Sequence, residues 1–318
     1  ELGRPAPEGY SRQSVQRQVD ALREQGFEVK VFEGDVNLLR ELGRFIPPDS
    51  RRGTPGGLVF NLATGTQGEG RFMQVPAMLE MAGIPYTGPD PLGQAALSDR
   101  LALLTLMAQA GVPVPRHAVM NGPGDEIDIT FPAAVRPRYE PDAGRVVVRN
   151  WRALREVVRD IRNVHEQPAV VEEIIKGREL RVSLLGNEIL ECLPLLDYSP
   201  GEHGKVCPAP LEDALADRIR SCAAAAYRAA NCRDYARIDI RLSGFEDPVV
   251  VDVKWFGLFA GRGSFVTSAE AAHYTFPALL RRIVTEAAKR YVARMTDNRT
   301  TPETAAVVSI SERRAASG

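Results

Sequence analysis

Two short segments place charged residues where they could do chemistry together. Arg237-Ile-Asp-Ile-Arg-Leu242 and Val249-Val-Val-Asp-Val-Lys254 both alternate with period two. In the first, Ile238, Ile240 and Leu242 point one way and Arg237, Asp239 and Arg241 the other. In the second, Val251 and Val253 line one face, and Asp252 and Lys254 share the opposite one. The intervening Ser243-Gly-Phe-Glu-Asp-Pro248 is rich in turn formers, which predicts an antiparallel pair. Two aspartates on adjacent strands, with cations beside them, form either a metal- or phosphate-handling constellation or a salt-bridged surface.

The elements that must position these residues follow from periodicity. A helix opens at Ser11, carries Val15, Val19 and Leu22 on one face, and closes at Gly26. Phe27–Phe32 alternates as a strand, residues 35–46 suggest a short helix, and residues 47–57 a loop. Leu58–Asn61 reads as a buried strand, 72–82 as a helix ending at Gly83, and Ile84–Tyr86 as a short strand. This alternation predicts a parallel α/β unit over residues 1–92. A long helix over 94–110 follows, then strands at Phe131–Val135, Arg145–Val148 and Ala169–Glu173, with a helix over 151–164. Arg181–Leu185 and Glu188–Leu193 predict a hairpin, 198–210 a loop, 211–230 an Ala-rich helix, and 275–294 a last helix. The predicted units are thus 1–92, 93–185 and 186–295, with 296–318 a polar, disordered tail.

Composition excludes several function classes. The 318 residues carry 40 Lys and Arg against 41 Asp and Glu, so a near-neutral chain offers no general affinity for nucleic acid or a membrane surface. No apolar run is long enough to span a bilayer, and no signal peptide is visible. The cysteines (Cys192, Cys207, Cys222, Cys232) lack zinc spacing and read as reduced thiols, which makes a cytoplasmic location the expectation. The four histidines are scattered and form no HExxH or HxxxH pattern, so a zinc hydrolase has no support. Position one is Glu rather than Met, which reads as a trimmed or processed start.

Four stretches carry a family likeness: Leu58-Val-Phe-Asn-Leu-Ala, the run from Gln74 through Ala82-Gly-Ile-Pro-Tyr-Thr-Gly-Pro-Asp-Pro91, Val171-Glu-Glu-Ile-Ile-Lys-Gly-Arg-Glu179, and Ala236-Arg-Ile-Asp-Ile-Arg. On these the chain resembles the ATP-grasp superfamily, and within it the D-alanine–D-alanine ligases, over residues 10–292. The resemblance implies an α/β (α+β) fold: an N-terminal parallel α/β unit, then two α+β units that grip a nucleotide in the cleft between them. It implies ATP and Mg²⁺ as cofactors and a small carboxylate and an amine as substrates, joined through an acyl phosphate. A homodimer is the family expectation. Residue by residue, it implies Glu172 and Glu179 at the adenine and ribose, Arg100 and Arg136 on phosphate, and Arg237 stabilising the oxyanion. Asp239 and Asp252 take metal-ligand positions, and Ser264 the second substrate's carboxylate.

The same comparison implies departures concentrated on the phosphates. Arg100 and Arg136 stand where the family has lysines, and a planar fork does not occupy a point-charge position without rearrangement. The phosphate loop, Gly- and Ser-rich in the family, reads Glu140-Pro-Asp-Ala-Gly144, losing a donor at Pro141 and adding a negative charge at Asp142. Lys254 stands at an asparagine metal-ligand position; an ammonium about 4 Å from a divalent ion is repelled by roughly 8 kcal/mol at an effective dielectric of about 20. Alternatively, Lys254 replaces one metal ion and pairs with Asp239 and Asp252. The family's opening strand, with its Gly-rich turn and amine-binding glutamate, is not recognisable near Gln13 and Ser14. Two expectations follow: a ligase-like protein whose activity is lost or strongly altered and which serves a protein partner, or an active ATP-dependent carboxylate–amine ligase.

Overall fold

The computed structural model describes residues 10–46, 56–141, 143–198, 204–244, 246–259, 261, 263–292 and 304–309. Helix α1 (Arg12–Glu24) starts where Ser11 Oγ accepts the Ser14 N–H at 3.2 Å, and it buries Val15, Val19 and Leu22. Strand β1 (Glu28–Glu33), helix α2 (Leu38–Phe45) and strand β2 (Gly57–Asn61) follow, β2 being buried along its whole length. Leu58 and Phe60 pack into one apolar cluster with α1, while Val59 enters another with Leu38 and Leu42 of α2. Each fully buried side chain of this size contributes about 1.5–3 kcal/mol. Helix α3 (Arg71–Met81) leads to Ile84–Tyr86, which makes a single parallel bridge, Val59 to Tyr86, in place of the expected strand.

The long helix expected over 94–110 is two helices, α4 (Pro91–Ser98) and α5 (Arg100–Gln109). Asp99 breaks it. Its backbone is extended and its carboxylate accepts the N–H groups of Leu101 and Ala102, so it caps a new helix and sets Arg100 in the first turn.

A four-stranded antiparallel sheet comprises β3 (His117–Met120), β4 (Ala133–Pro137), β5 (Val146–Val148) and β6 (Ala169–Glu173) in the order β3-β6-β4-β5, backed by α6 (Trp151–His165). The larger sheet contains β7 (Glu179–Gly186), β8 (Leu190–Cys192), β9 (Leu196–Asp197), β10 (Tyr235–Leu242) and β11 (Pro248–Lys254), with β10 between β7 and β11. β7 therefore belongs to this sheet, not to the 93–185 unit where the sequence boundaries put it. Helix α7 (Asp213–Ala229) covers its apolar face with Ile219, Ala223, Ala226 and Tyr227, against Ile238, Ile240, Val250 and Val253. Gly177, just before β7, has φ +135, and a Cβ there would lie 1.8 Å from Leu242 O, so only glycine lets β7 close on β10.

Helices α8 (Ser264–Ala271) and α9 (Phe276–Val292) return to the first unit, where Leu279, Leu280, Ile283 and Val284 join the cluster of α1. The final strand, β12 (Thr304–Ser309), corrects the expectation that 296–318 is a disordered tail. It runs parallel between β1 and β2 as the middle strand of the first sheet. Ala305-Ala-Val-Val308 has the composition of a buried strand, but its partners lie at the other end of the chain, where local reading finds no signal.

Candidate functional site

Alternation puts Arg237, Asp239 and Arg241 on one face of β10, and register supplies their neighbours. Asp239 is opposite Asp252 of β11 on one side and Arg181 of β7 on the other; Arg237 is opposite Lys254, and Arg241 opposite Glu179. A bulge after Asp239 shifts the β10–β11 register, which lets Val250 as well as Val253 face the core while Asp252 keeps the polar face. The two aspartates are thus cross-strand partners on one face, as the hairpin reading requires.

Two ion-pair clusters meet at this pair. In the first, Glu172 on β6 lies opposite Ala134, one pleat from Arg136 on β4. Its carboxylate accepts from Arg100 Nε at 2.8 Å and NH2 at 2.6 Å, a fork-to-fork pair buried to 5% and 4% side-chain exposure. Arg136 Nε is 3.2 Å from Glu172 Oε1 as an ion pair, but its N–H is not aligned for a hydrogen bond. Arg100 also donates to Val251 O at 2.8 Å and to Asp252 Oδ1 at 3.4 Å, bridging the two antiparallel sheets. Burial pushes the Glu172 carboxyl up, but the guanidinium of Arg100, its hydrogen bonds and Arg136 outweigh this and hold it below the ordinary range. Burial, with Arg100 adjacent, lowers Arg136.

Asp252 is the second carboxylate of this cluster. Lys254 Nζ lies 3.7 Å from its Oδ2, Arg136 NH1 lies 3.9 Å away, and the Val253 N–H donates to Oδ1 at 3.0 Å. Burial raises its pKa, yet Lys254, Arg136 and Arg100 together bring it down to about 2. Lys254 also donates to Pro141 O at 2.7 Å, and Glu140 is forked by Arg71 at 3.1 and 2.8 Å. The loop expected to bind phosphate is therefore tied down at both residues; Asp142 lies outside the described residues. Beneath it, a cavity of about 10 Å³, the size of one water, is lined by Arg100, Arg136, Glu140, Pro141 and Asp252.

The second cluster is built around Asp239. Arg237 forks it, with Nε at 2.7 Å and NH2 at 2.9 Å. Arg181 Nε stands 3.9 Å from the same carboxylate, NH1 donates to Ser264 Oγ at 2.7 Å, and NH2 pairs with Glu179 at 3.3 Å. Its guanidinium stacks on the Tyr198 ring. Glu179 also accepts from Arg241. Burial raises the Asp239 carboxyl, opposed by Arg237 and Arg181 and reinforced by Asp252.

All eight sequence-predicted residues reach this face or its rim: Arg100, Arg136, Glu172, Glu179, Arg237, Asp239, Asp252 and Ser264. Glu172, expected at the adenine, instead turns its carboxylate to Arg100 and Arg136. Sequence reasoning missed Arg181. The usable signal was its spacing from Glu179, two residues along a strand that must pair with β10. The fit to Mg²⁺ is poor. The ion needs several oxygens in near-octahedral array, whereas guanidiniums hold both Asp239 oxygens and three cations surround Asp252. Among the described residues, no group of three or more His, Cys, Asp or Glu could hold a metal.

Residues 106–285 match the family described as D-ala D-ala ligase C-terminus. The chain is 40% identical over 306 residues to the uncharacterized protein y4sG of Sinorhizobium fredii, covering 90% of each chain. It is 29% identical over 290 residues to the D-alanine–D-alanine ligase of Desulforudis audaxviator, covering 85% of this chain and 91% of that one. In fold it matches the ATP complex of the D-alanine–D-alanine ligase from Bacillus anthracis with a TM-score of 0.71 at 20% identity, over 92% of this chain and 97% of that one. No described helix is long and apolar enough to cross a membrane. With an ATP-grasp fold and a family match over more than half its length, the chain belongs to the D-alanine–D-alanine ligase family.

Proposed function

We propose that this is a D-alanine–D-alanine-ligase-like ATP-grasp protein in which ligase activity is lost or strongly altered. One observation carries the reading: both carboxylates at the metal-ligand positions, Asp239 and Asp252, are already neutralised by side-chain cations. Phosphoryl transfer to a carboxylate needs preorganised positive charge on the transferring group, and here much of that charge is spent on internal pairs. The tethering of Glu140 and Pro141 supports the same reading, because internal hydrogen bonds hold the loop that the resemblance assigns to phosphate.

The test is ligation itself. Incubation with ATP, Mg²⁺ and D-alanine, then with a panel of small acids and amines, should give no amine-dependent ADP release and no ligated product by mass spectrometry. Stoichiometric ADP and a new amide would overturn the proposal. They would favour the second reading, an active carboxylate–amine ligase, whose support is the convergence of Arg237, Asp239, Glu179 and Ser264 on one face.

A further inference from the structure

The two clusters contain six cations, Arg100, Arg136, Arg181, Arg237, Arg241 and Lys254, and four carboxylates, Glu172, Glu179, Asp239 and Asp252. The excess of positive charge is lodged in groups that are mostly buried. Arg136 is 7% exposed, lines the small cavity, and its Nε–H has no hydrogen-bond partner. Arg181 Nε is also without a hydrogen-bond partner. Each already faces a carboxylate, Arg136 Nε 3.2 Å from Glu172 and Arg181 Nε 3.9 Å from Asp239, but neither pair is aligned as a hydrogen bond, so a bound anion would supply one that the resident carboxylates do not. The neighbouring pairs Arg71–Glu140 and Arg138–Asp99 are balanced and leave the excess unchanged.

A cation stands beside each carboxylate that the family resemblance implies as a metal ligand. Lys254 stands 3.7 Å from Asp252, and Arg181 3.9 Å from Asp239 while bonded to Ser264. An ammonium and a guanidinium are fixed covalently and cannot be removed by a chelator. We propose that this cleft is a metal-free anion site, in which Lys254 and Arg181 replace the divalent ions and a phosphoryl group binds directly to side-chain cations. The proposal rests on the altered-site reading above and names the ligand chemistry: a polyphosphate, either free or as part of a nucleotide. A phosphoryl group already carrying Mg²⁺ would bring a further cation against Lys254 and Arg181 and bind more weakly.

Calorimetric titration of the full chain with ATP and with pyrophosphate, in EDTA and in saturating Mg²⁺, tests this. Binding in EDTA that is as tight as or tighter than in Mg²⁺, with pyrophosphate displacing ATP, is the expected result. Binding that requires Mg²⁺, ATP that pyrophosphate does not displace, or no binding of either ligand overturns the proposal. Lys254→Asn should weaken binding in EDTA by about tenfold or more and make Mg²⁺ favourable by freeing Asp252. Unchanged binding in that variant also counts against the proposal. Arg181→Ala, checked for folding by circular dichroism, repeats the test at the second position. The ligation assay is read separately: a product formed in EDTA refutes lost activity but not metal independence, and Mg²⁺-dependent binding without product does the reverse.

Discussion

Asp252→Asn isolates one charge with little change of shape. In the folded protein Asp252 is held at about 2, against an ordinary 3.8, by Lys254, Arg136 and Arg100 acting against burial. At 1.36 kcal/mol per pH unit, that difference is worth about 2 kcal/mol of stability at neutral pH. The carboxyl is 22% exposed, so solvent screening removes only part of it. The variant should unfold in urea with about 2 kcal/mol less free energy at pH 7, because Glu172 is left as the sole carboxylate among Arg100, Arg136 and Lys254. The pH dependence has a defined sign. A depressed carboxyl contributes its full increment above the unfolded pKa and loses it as pH falls through the folded one. Wild type and variant should therefore differ fully above about pH 5 and converge between about pH 4 and pH 2. Urea melts at pH 7, 5 and 2 read this directly. A gap below about 0.5 kcal/mol at pH 7, or one that persists undiminished at pH 2, refutes the reasoning.

Three further outcomes follow from the same geometry. Glu172→Gln leaves the buried Arg100 and Arg136 with only the more distant Asp252, at 3.4 and 3.9 Å, and should cost about 3 kcal/mol in chemical unfolding, a loss that a surface carboxylate would not produce. Gly177→Ala drives a Cβ to 1.8 Å from Leu242 O at a left-handed φ, and should cost more than about 2 kcal/mol by thermal melt, whereas Gly244→Ala, where a Cβ meets nothing, should not. Truncation after Val292 removes β12, which lies between β1 and β2 in the sheet, and should expose their amides to hydrogen exchange while β7, β10 and β11 stay protected; uniform protection would refute its place in the sheet.

The sequence by itself determined the α/β start and the antiparallel hairpin of β10 and β11, with Asp239 and Asp252 on neighbouring strands, whereas their direct opposition depends on the bulge after Asp239. Period-two alternation fixes a side chain's face without knowledge of anything distant, and Ser243–Pro248 makes the return local. Tertiary structure decided the rest. Arg181 meets Asp239 only because β7 pairs with β10 in one register, and alternation within β7 cannot name a cross-strand neighbour. Glu172 faces Arg100, 72 residues away, because a buried carboxylate turns to whichever cation offsets its desolvation, and that cation is set by the helix break at Asp99. The place of Thr304–Ser309 was hidden for the same reason: its hydrogen-bonding partners, β1 and β2, lie at the opposite end of the chain, and only closure of the first sheet brings them together.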